Sequence, residues 1–282
     1  MGWTGGDATR ATATADRAEL PIFRALLLVQ VAAGVVFGLF PFVLPQTSAR
    51  LFGYAGTETL VYRIAGAAAA GYAVAAFFAY ASPRWASIRI PAVAAFTFNA
   101  GAVVAALLSL DEGDRHALVF IVLLAASTFT AITGYLLYRD DGPRGPEDGV
   151  IVGGFRLTLI AATVTATVFG VLPLLLVHTF ARVFHLAESD LFVYRLAGAA
   201  TLGYATAGVL QIRWGRWSEI RLQVFAAIAF NALAAGAAAR YLASGGRSLL
   251  GVLVLVAGAF FAVALTWWSR SRERTRRREV TT

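Results

Sequence analysis

Six polar residues inside long apolar segments have the side chains best suited to chemistry or binding. They form three pairs with members 132 positions apart: Arg63 and Arg195, Tyr72 and Tyr204, and Asn99 and Asn231. A charge or an amide surrounded by hydrocarbon needs a partner and often marks a binding site. The sequence has no P-loop, HExxH or GxSxG motif and no carboxylate pair inside the apolar segments, so we predict ligand-binding residues and no catalytic residue.

The arginines are the first candidates. Arg63 and Arg195 lie about one turn inside the start of a predicted helix, where a cation opposes the helix dipole. Glu58 and Asp190 precede them by five residues, and at this cap position each acid is predicted to pair with its arginine. Two interpretations remain open: the arginines reach outward to lipid head groups, or they bind an anionic ligand.

The asparagines lie near the middle of predicted helices, among small residues at helical spacing. This pattern is typical of a close helix–helix seam, although a cavity lined by the amide is the alternative. Because consecutive spans run antiparallel, Tyr72 and Tyr204 lie at nearly the same depth as Asn99 and Asn231. We therefore predict a hydrogen bond from tyrosine to asparagine within each half, which would satisfy two buried polar groups.

The composition indicates an all-α, polytopic membrane protein. Hydrophobic residues make up 59% of the chain, charged residues 14%, and the mean hydropathy is +0.69, whereas soluble domains contain about 45–50% apolar and about 25% charged residues. A helix needs about 20 apolar residues to cross a bilayer. The sequence predicts eight such transmembrane helices, at 22–44, 60–81, 88–110, 117–138, 155–177, 191–212, 220–242 and 249–268.

An internal repeat organises these helices. A shift of 132 positions aligns residues 23–138 with residues 155–270 without a gap, and 44 of the 116 aligned positions are identical. Each half has an even number of spans, so the halves are predicted to be parallel repeats that form two tandem four-helix bundles. The predicted units are a cytoplasmic tail (1–21), repeat 1 (22–138), a cytoplasmic linker (139–154), repeat 2 (155–268) and a basic cytoplasmic tail (269–282).

The positive charge predicts an orientation. The net charge is +8, and all 24 basic residues are arginine. Seventeen of these 24 lie in the tails and the loops on the same side, which by the positive-inside rule places both termini in the cytoplasm of a cell-membrane protein. Because topology accounts for the arginines, we predict no nucleic-acid partner.

Redox and metal chemistry are disfavoured by residue usage. The chain has no cysteine and only three histidines, none within a predicted span, which excludes disulfides, thiolate metal sites and iron–sulfur clusters formed by this chain. We predict no metal and no cofactor. Segments 46–53 and 178–185 are predicted to be short amphipathic surface helices. His178 and His185 lack a carboxylate at helical spacing, and their repeat counterparts are Gln46 and Gly53.

Short motifs in each half resemble a known grouping. Leu51-Phe52-Gly53, Arg63-x-Ala65-Gly66-Ala67 and Asn99 make each half similar to the small four-helix membrane proteins of the DoxX-like families. The resemblance implies a four-helix membrane unit for each half. Some DoxX-type proteins are associated with quinone-linked sulfur or redox systems, and the resemblance implies no catalytic residue here.

These observations lead to three functional hypotheses. The first is binding or movement of a lipid-like or small apolar molecule between the repeats, with the arginines and asparagines supplying polar contacts. The second is a non-catalytic membrane scaffold or assembly partner, and the third is a quinone-linked redox subunit. The predicted partners are the bilayer and such a ligand, and the sequence indicates no particular protein partner.

Overall fold

The structure, a computed structural model, describes residues 24–82, 85–139 and 151–281. The predicted N-terminal tail (1–21) and most of the predicted linker (139–154) lie outside these ranges. The described parts of the chain are almost entirely helical.

The helices of the first half follow the predicted segments closely. They are α1 (Arg24–Val43), α2 (Pro45–Leu51), α3 (Thr59–Tyr80), α4 (Trp85–Asp111) and α5 (Ala117–Tyr138). A π-helical stretch, Val35–Leu39, lies inside α1. Pro45 begins α2, where its missing N–H costs no helical hydrogen bond.

The second half repeats this order. Its helices are α6 (Gly154–Leu175), α7 (Val177–Phe184), α8 (Leu191–Trp214), α9 (Trp217–Ala243) and α10 (Leu249–Thr281). The two predicted short helices are confirmed as α2 and α7. The helix α10 extends beyond the predicted span end at residue 268, through the basic segment that the sequence indicated as a tail.

Within the described residues, seven helices are long and apolar enough to cross a membrane: α1, α3, α4, α5, α6, α9 and α10. The chain is therefore a helical, multi-pass membrane protein. The 24-residue helix α8 is not among these seven, yet most of its residues are buried. A central helix surrounded by protein can carry Arg195, Gln211 and two threonines because these side chains are largely enclosed by protein.

The two halves interleave rather than pack as separate bundles. The most extensive contacts of α3 and α4 across the halves are with α9 and α8 respectively, whereas α3 and α4 contact each other only slightly. The prediction of two tandem four-helix bundles is wrong in this respect. Small residues explain the exchange, since a methyl group added at Gly101 of α4 would lie 3.0 Å from the Cβ of Ala199 on α8, an approach that only small side chains allow.

Within each half, the first long helix crosses the central helix at glycines. A methyl group added at Gly66 of α3 would lie 2.5 Å from Gly38 O of α1, and one added at Gly198 of α8 would lie 2.7 Å from Gly170 O of α6. These four residues occupy equivalent places in the repeat, and each lets one backbone touch the other.

Two ends of the molecule are distinguished by their contacts. We call the end that holds α2 and α7 the short-helix face; there Tyr54 Oη donates a hydrogen bond of 3.0 Å to Asp114 Oδ2. We call the opposite end the terminal face. There the N–H of Ile151 donates to Gly215 O (2.9 Å) and Trp217 Nε1 donates to Glu273 Oε1 (3.1 Å).

Candidate functional site

Each half contains one large apolar cavity. The first has a volume of about 310 Å³ and lies between residues 30–41 of α1 and residues 118–129 of α5, with α3 and α4 behind it. Asn99 and Tyr72 line it, and Val193, Leu196 and Ala200 of α8 close it from the other half.

The second cavity, of about 140 Å³, is bounded by α6, α8, α9 and α10. Its walls reproduce those of the first at the 132-residue spacing. The matching pairs are Phe37 and Phe169, Pro41 and Pro173, Tyr72 and Tyr204, Asn99 and Asn231, Phe129 and Phe261, and, from the opposite halves, Val193 and Val61. An engineered cavity of about 150 Å³ is enough to bind benzene, so either cavity can take an apolar group.

The asparagines supply one polar group to each cavity. Asn99 Nδ2 donates to Ala95 O and Asn231 Nδ2 donates to Ala227 O, both at 2.8 Å, one turn back on their own helices. These bonds fix the amide orientation and leave the carbonyl oxygen of each asparagine as a free acceptor.

The tyrosines join the halves instead of bonding to the asparagines. Tyr72 Oη donates to Ala200 O (2.8 Å), Tyr204 Oη donates to Ala68 O (3.1 Å), and the ring centroids of the two tyrosines are 4.8 Å apart. The predicted tyrosine–asparagine hydrogen bond is therefore wrong. The reason is the interleaving: the helix facing each tyrosine is the central helix of the other half.

Replacing Tyr72 or Tyr204 by phenylalanine should lower the free energy of unfolding by about 0.6 kcal/mol each, the average for a hydrogen bond between membrane helices. Tyr80→Phe, at an exposed tyrosine of α3, is the control and should have no effect. Thermal unfolding in detergent measures both. An equal effect of all three changes would contradict the inter-half bonds.

Arg195 forms an ion pair with a residue that the sequence did not indicate. Its Nη1 donates to Glu112 Oε2 (2.8 Å) and to Ser109 Oγ (3.0 Å), and its Nη2 donates to Glu112 Oε1. Arg195 is only 3% exposed. The predicted pairing of Arg195 with Asp190 is wrong, because the interleaved packing brings the end of α4 next to α8.

Arg63 occupies the equivalent place without an equivalent acid. The counterpart of Glu112 in the repeat is Ser244 (112 + 132), and the charged residue near Arg63 is Arg240. The Arg63 Nε atom is buried without a hydrogen-bond partner. Glu58 accepts a hydrogen bond from Ala187 N–H rather than from Arg63, so the predicted pairing of Arg63 with Glu58 is also wrong. Neither arginine lines either of the two cavities.

The two cap acids bind the opposite half reciprocally. Asp190, fully buried, accepts hydrogen bonds from the N–H groups of Ala55 (3.1 Å) and Gly56 (2.8 Å). Glu58 Oε1 accepts one from the N–H of Ala187 (3.1 Å), the counterpart of Ala55. These bonds fasten the halves together at the short-helix face, which accounts for the acids without a catalytic role.

Two glutamines at the second cavity were missed by the sequence reasoning. Gln211 on α8 and Gln223 on α9 both line that cavity. A signal existed: both interrupt predicted apolar spans, and their repeat counterparts are Ala79 and Pro91. A polar residue that occurs in only one copy of a repeat is not required by the fold that the two copies share.

Among the described residues, no group of histidine, aspartate and glutamate side chains is placed to hold a metal ion. No protein-family model, curated protein or solved structure matches the chain. The resemblance to DoxX-like proteins therefore stays a prediction, and function must be inferred from the chain's own geometry.

Proposed function

We propose that this protein binds a lipid-like or small apolar molecule in each of its two intramembrane cavities. The observation that supports this is the duplicated cavity itself, in which equivalent aromatic residues surround Asn99 or Asn231. Protein interiors are otherwise closely packed, so two equivalent, partly open cavities of this size are suited to occupancy.

The chemistry of the walls defines the ligand class. None of the described residues that line the two cavities carries a charge. An ion placed there would lose its hydration without a compensating partner, whereas an alkyl or aromatic group loses nothing. The free carbonyl oxygen of each asparagine offers an acceptor for one donor on such a molecule.

We place most of each proposed site within one half, with a few residues of the other half completing the wall, rather than along the seam between the halves. The seam between the halves is filled by Tyr72, Tyr204 and small residues, since even a methyl group at Gly71 or Gly203 would collide with a tyrosine hydroxyl. We accordingly assign the ligand contacts to the asparagines and tyrosines, and not to Arg63 and Arg195.

The proposed setting is the cell membrane, with eight spans including α8 and both termini in the cytoplasm. The long helical form of α8 and its central position support its inclusion. The orientation rests on the distribution of arginines. The reciprocal contacts 132 residues apart support a pseudo-twofold relation between the halves along the membrane normal.

Native mass spectrometry of the purified protein in mild detergent tests the proposal. The wild type should retain a small molecule, and the double variant Ala125→Trp, Ala257→Trp should lose it because both residues line cavities. The matched control is Ala131→Trp, Val263→Trp, at exposed positions on the same two helices, and should retain the molecule.

The scaffold hypothesis is the second candidate, supported by the closely packed seam of tyrosines and small residues between the halves. It requires that the wild type and both double variants each show only the mass of their own polypeptide, with no retained molecule. That outcome would contradict ligand binding and favour a protein partner.

A further inference from the structure

The second cavity is lined by two glutamines, Gln211 and Gln223, whereas the first is lined by one, Gln30 of α1. Gln211 lies in the last turn of α8 before Trp214, and Gln223 lies near the start of α9, so both are near the terminal face. Both line the cavity. Their counterparts in the first half are Ala79 and Pro91, which bear no hydrogen-bonding side chain.

The amide groups of these glutamines are buried and unsatisfied. Gln223 is 1% exposed, and neither its Oε1 nor its Nε2 has a hydrogen-bond partner. Gln211 is 5% exposed, and its Nε2 lacks a partner. Buried polar groups are satisfied in the great majority of cases, and an unmet amide is especially unfavourable in a membrane interior.

The corresponding space in the first half is closed. Residues at that level, including Leu27, Pro91 and Thr133, surround a separate void of only about 20 Å³. In the second half, the counterparts of Leu27 and Thr133, Leu159 and Leu265, belong to the wall of the large cavity itself. The second cavity therefore runs further towards the terminal face and ends at the two glutamines.

We propose that the second cavity, which is partly open at the protein surface, binds an amphiphile whose small, neutral head group is held by Gln211 and Gln223 while its apolar chain lies along the cavity and leaves through the open side. This inference rests on the proposed function. The two free Nε2 groups require acceptors on the ligand, and the free Oε1 of Gln223 requires a donor. A head group with both a carbonyl and a hydroxyl meets these requirements, and an anionic head group would find no countercharge in the wall.

Monoolein, which has an ester carbonyl and two hydroxyls, is a suitable probe, and methyl oleate, which has the same chain and no donor, is its control. Every protein in this experiment carries Ala125→Trp, which fills the first cavity. The measured binding is therefore that of the second cavity. Native mass spectrometry of the full chain should show monoolein binding about tenfold more tightly than methyl oleate, as expected for one or two additional hydrogen bonds.

Gln223→Leu should remove this preference and leave methyl oleate binding unchanged. The control Thr201→Val lines the same cavity, but the Thr201 hydroxyl donates to Ala197 O (2.8 Å) of its own helix, so the preference should persist. Thermal unfolding checks that the Gln223→Leu variant is correctly folded. Because the substitution removes an unsatisfied amide, the variant should unfold at the same temperature as its parent or at a higher one.

The outcomes separate the two proposals. If both lipids bind equally to the parent, or if Gln223→Leu keeps the preference, the head-group inference is overturned while cavity binding stands. If neither lipid binds the parent, or if both still bind after Ala257→Trp is added, the proposed function itself fails.

Discussion

Replacing Glu112 by alanine should destabilise the protein more than replacing its partner Arg195 by methionine. Glu112 is 39% exposed and the Arg195 side chain is only 4% exposed. Without Glu112, a buried guanidinium is left unpaired, and removing one member of a buried ion pair costs about 3–5 kcal/mol. Without Arg195, the carboxylate is hydrated in place, and we expect a loss of about 1 kcal/mol, as for exposed pairs.

Unfolding of the purified variants in detergent, followed by tryptophan fluorescence, measures the difference. Arg63→Met is the matched control, because Arg63 occupies the equivalent place in the repeat and faces Arg240 rather than an acid. It should leave the stability unchanged or raise it slightly. A loss as large for Arg63→Met as for Glu112→Ala would show that the ion pair is not the source of the effect.

The same ion pair makes stability depend on pH. Hydrogen bonds from Arg195 lower the pKa of Glu112 below its ordinary value of 4.5, and this effect exceeds the opposing effect of partial burial. A carboxyl with a lowered pKa stabilises the folded state above its unfolded pKa, and this stabilisation is lost as the pH falls through the folded pKa. The difference between wild type and Glu112→Ala should therefore be constant above about pH 5.5 and shrink below pH 4.5.

Hydropathy and the repeat predicted where the helices lie and which polar side chains are inside them. They did not predict which residues these side chains contact. Tyr72 and Asn99 line the same cavity, yet α3 and α4 contact each other only slightly. The repeat itself is the reason. Because α4 and α9 carry the same pattern, the sequence cannot distinguish packing of α3 on α4 from packing of α3 on α9, and only the three-dimensional arrangement selects the second.

The asymmetries between the halves lie outside what a repeat can predict. Arg63 and Arg195 are equivalent in sequence, but Glu112 has Ser244 as its counterpart, so only Arg195 gains an ion pair. Gln211 and Gln223 likewise replace Ala79 and Pro91. Aligning the halves emphasises identical residues, whereas the differences between the cavities come from polar residues at positions where the identity is broken.

Alanine at Gly198 should destabilise the protein by about 2–3 kcal/mol, although alanine is the better helix former. A methyl group there would lie 2.7 Å from both Gly170 O and Leu174 N on α6. Both neighbours are backbone atoms that cannot rotate away, so the helices must separate, and overpacking of this kind costs about 1–3 kcal/mol. The same reasoning applies to Gly66→Ala, since its methyl group would lie 2.5 Å from Gly38 O.

Gly236→Ala is the control that isolates the crossing. Gly236 is also within a long helix, α9, but no atom lies within 4 Å of the place where its Cβ would be. Alanine there should raise the free energy of unfolding by about 0.5–1 kcal/mol, the usual gain over glycine inside a helix. If Gly198→Ala lowers the free energy of unfolding and Gly236→Ala raises it, the backbones of α6 and α8 are in contact beside the second cavity. If Gly198→Ala instead stabilises the protein, α6 and α8 are further apart than in this structure, and the volume of the cavity beside them is larger than about 140 Å³.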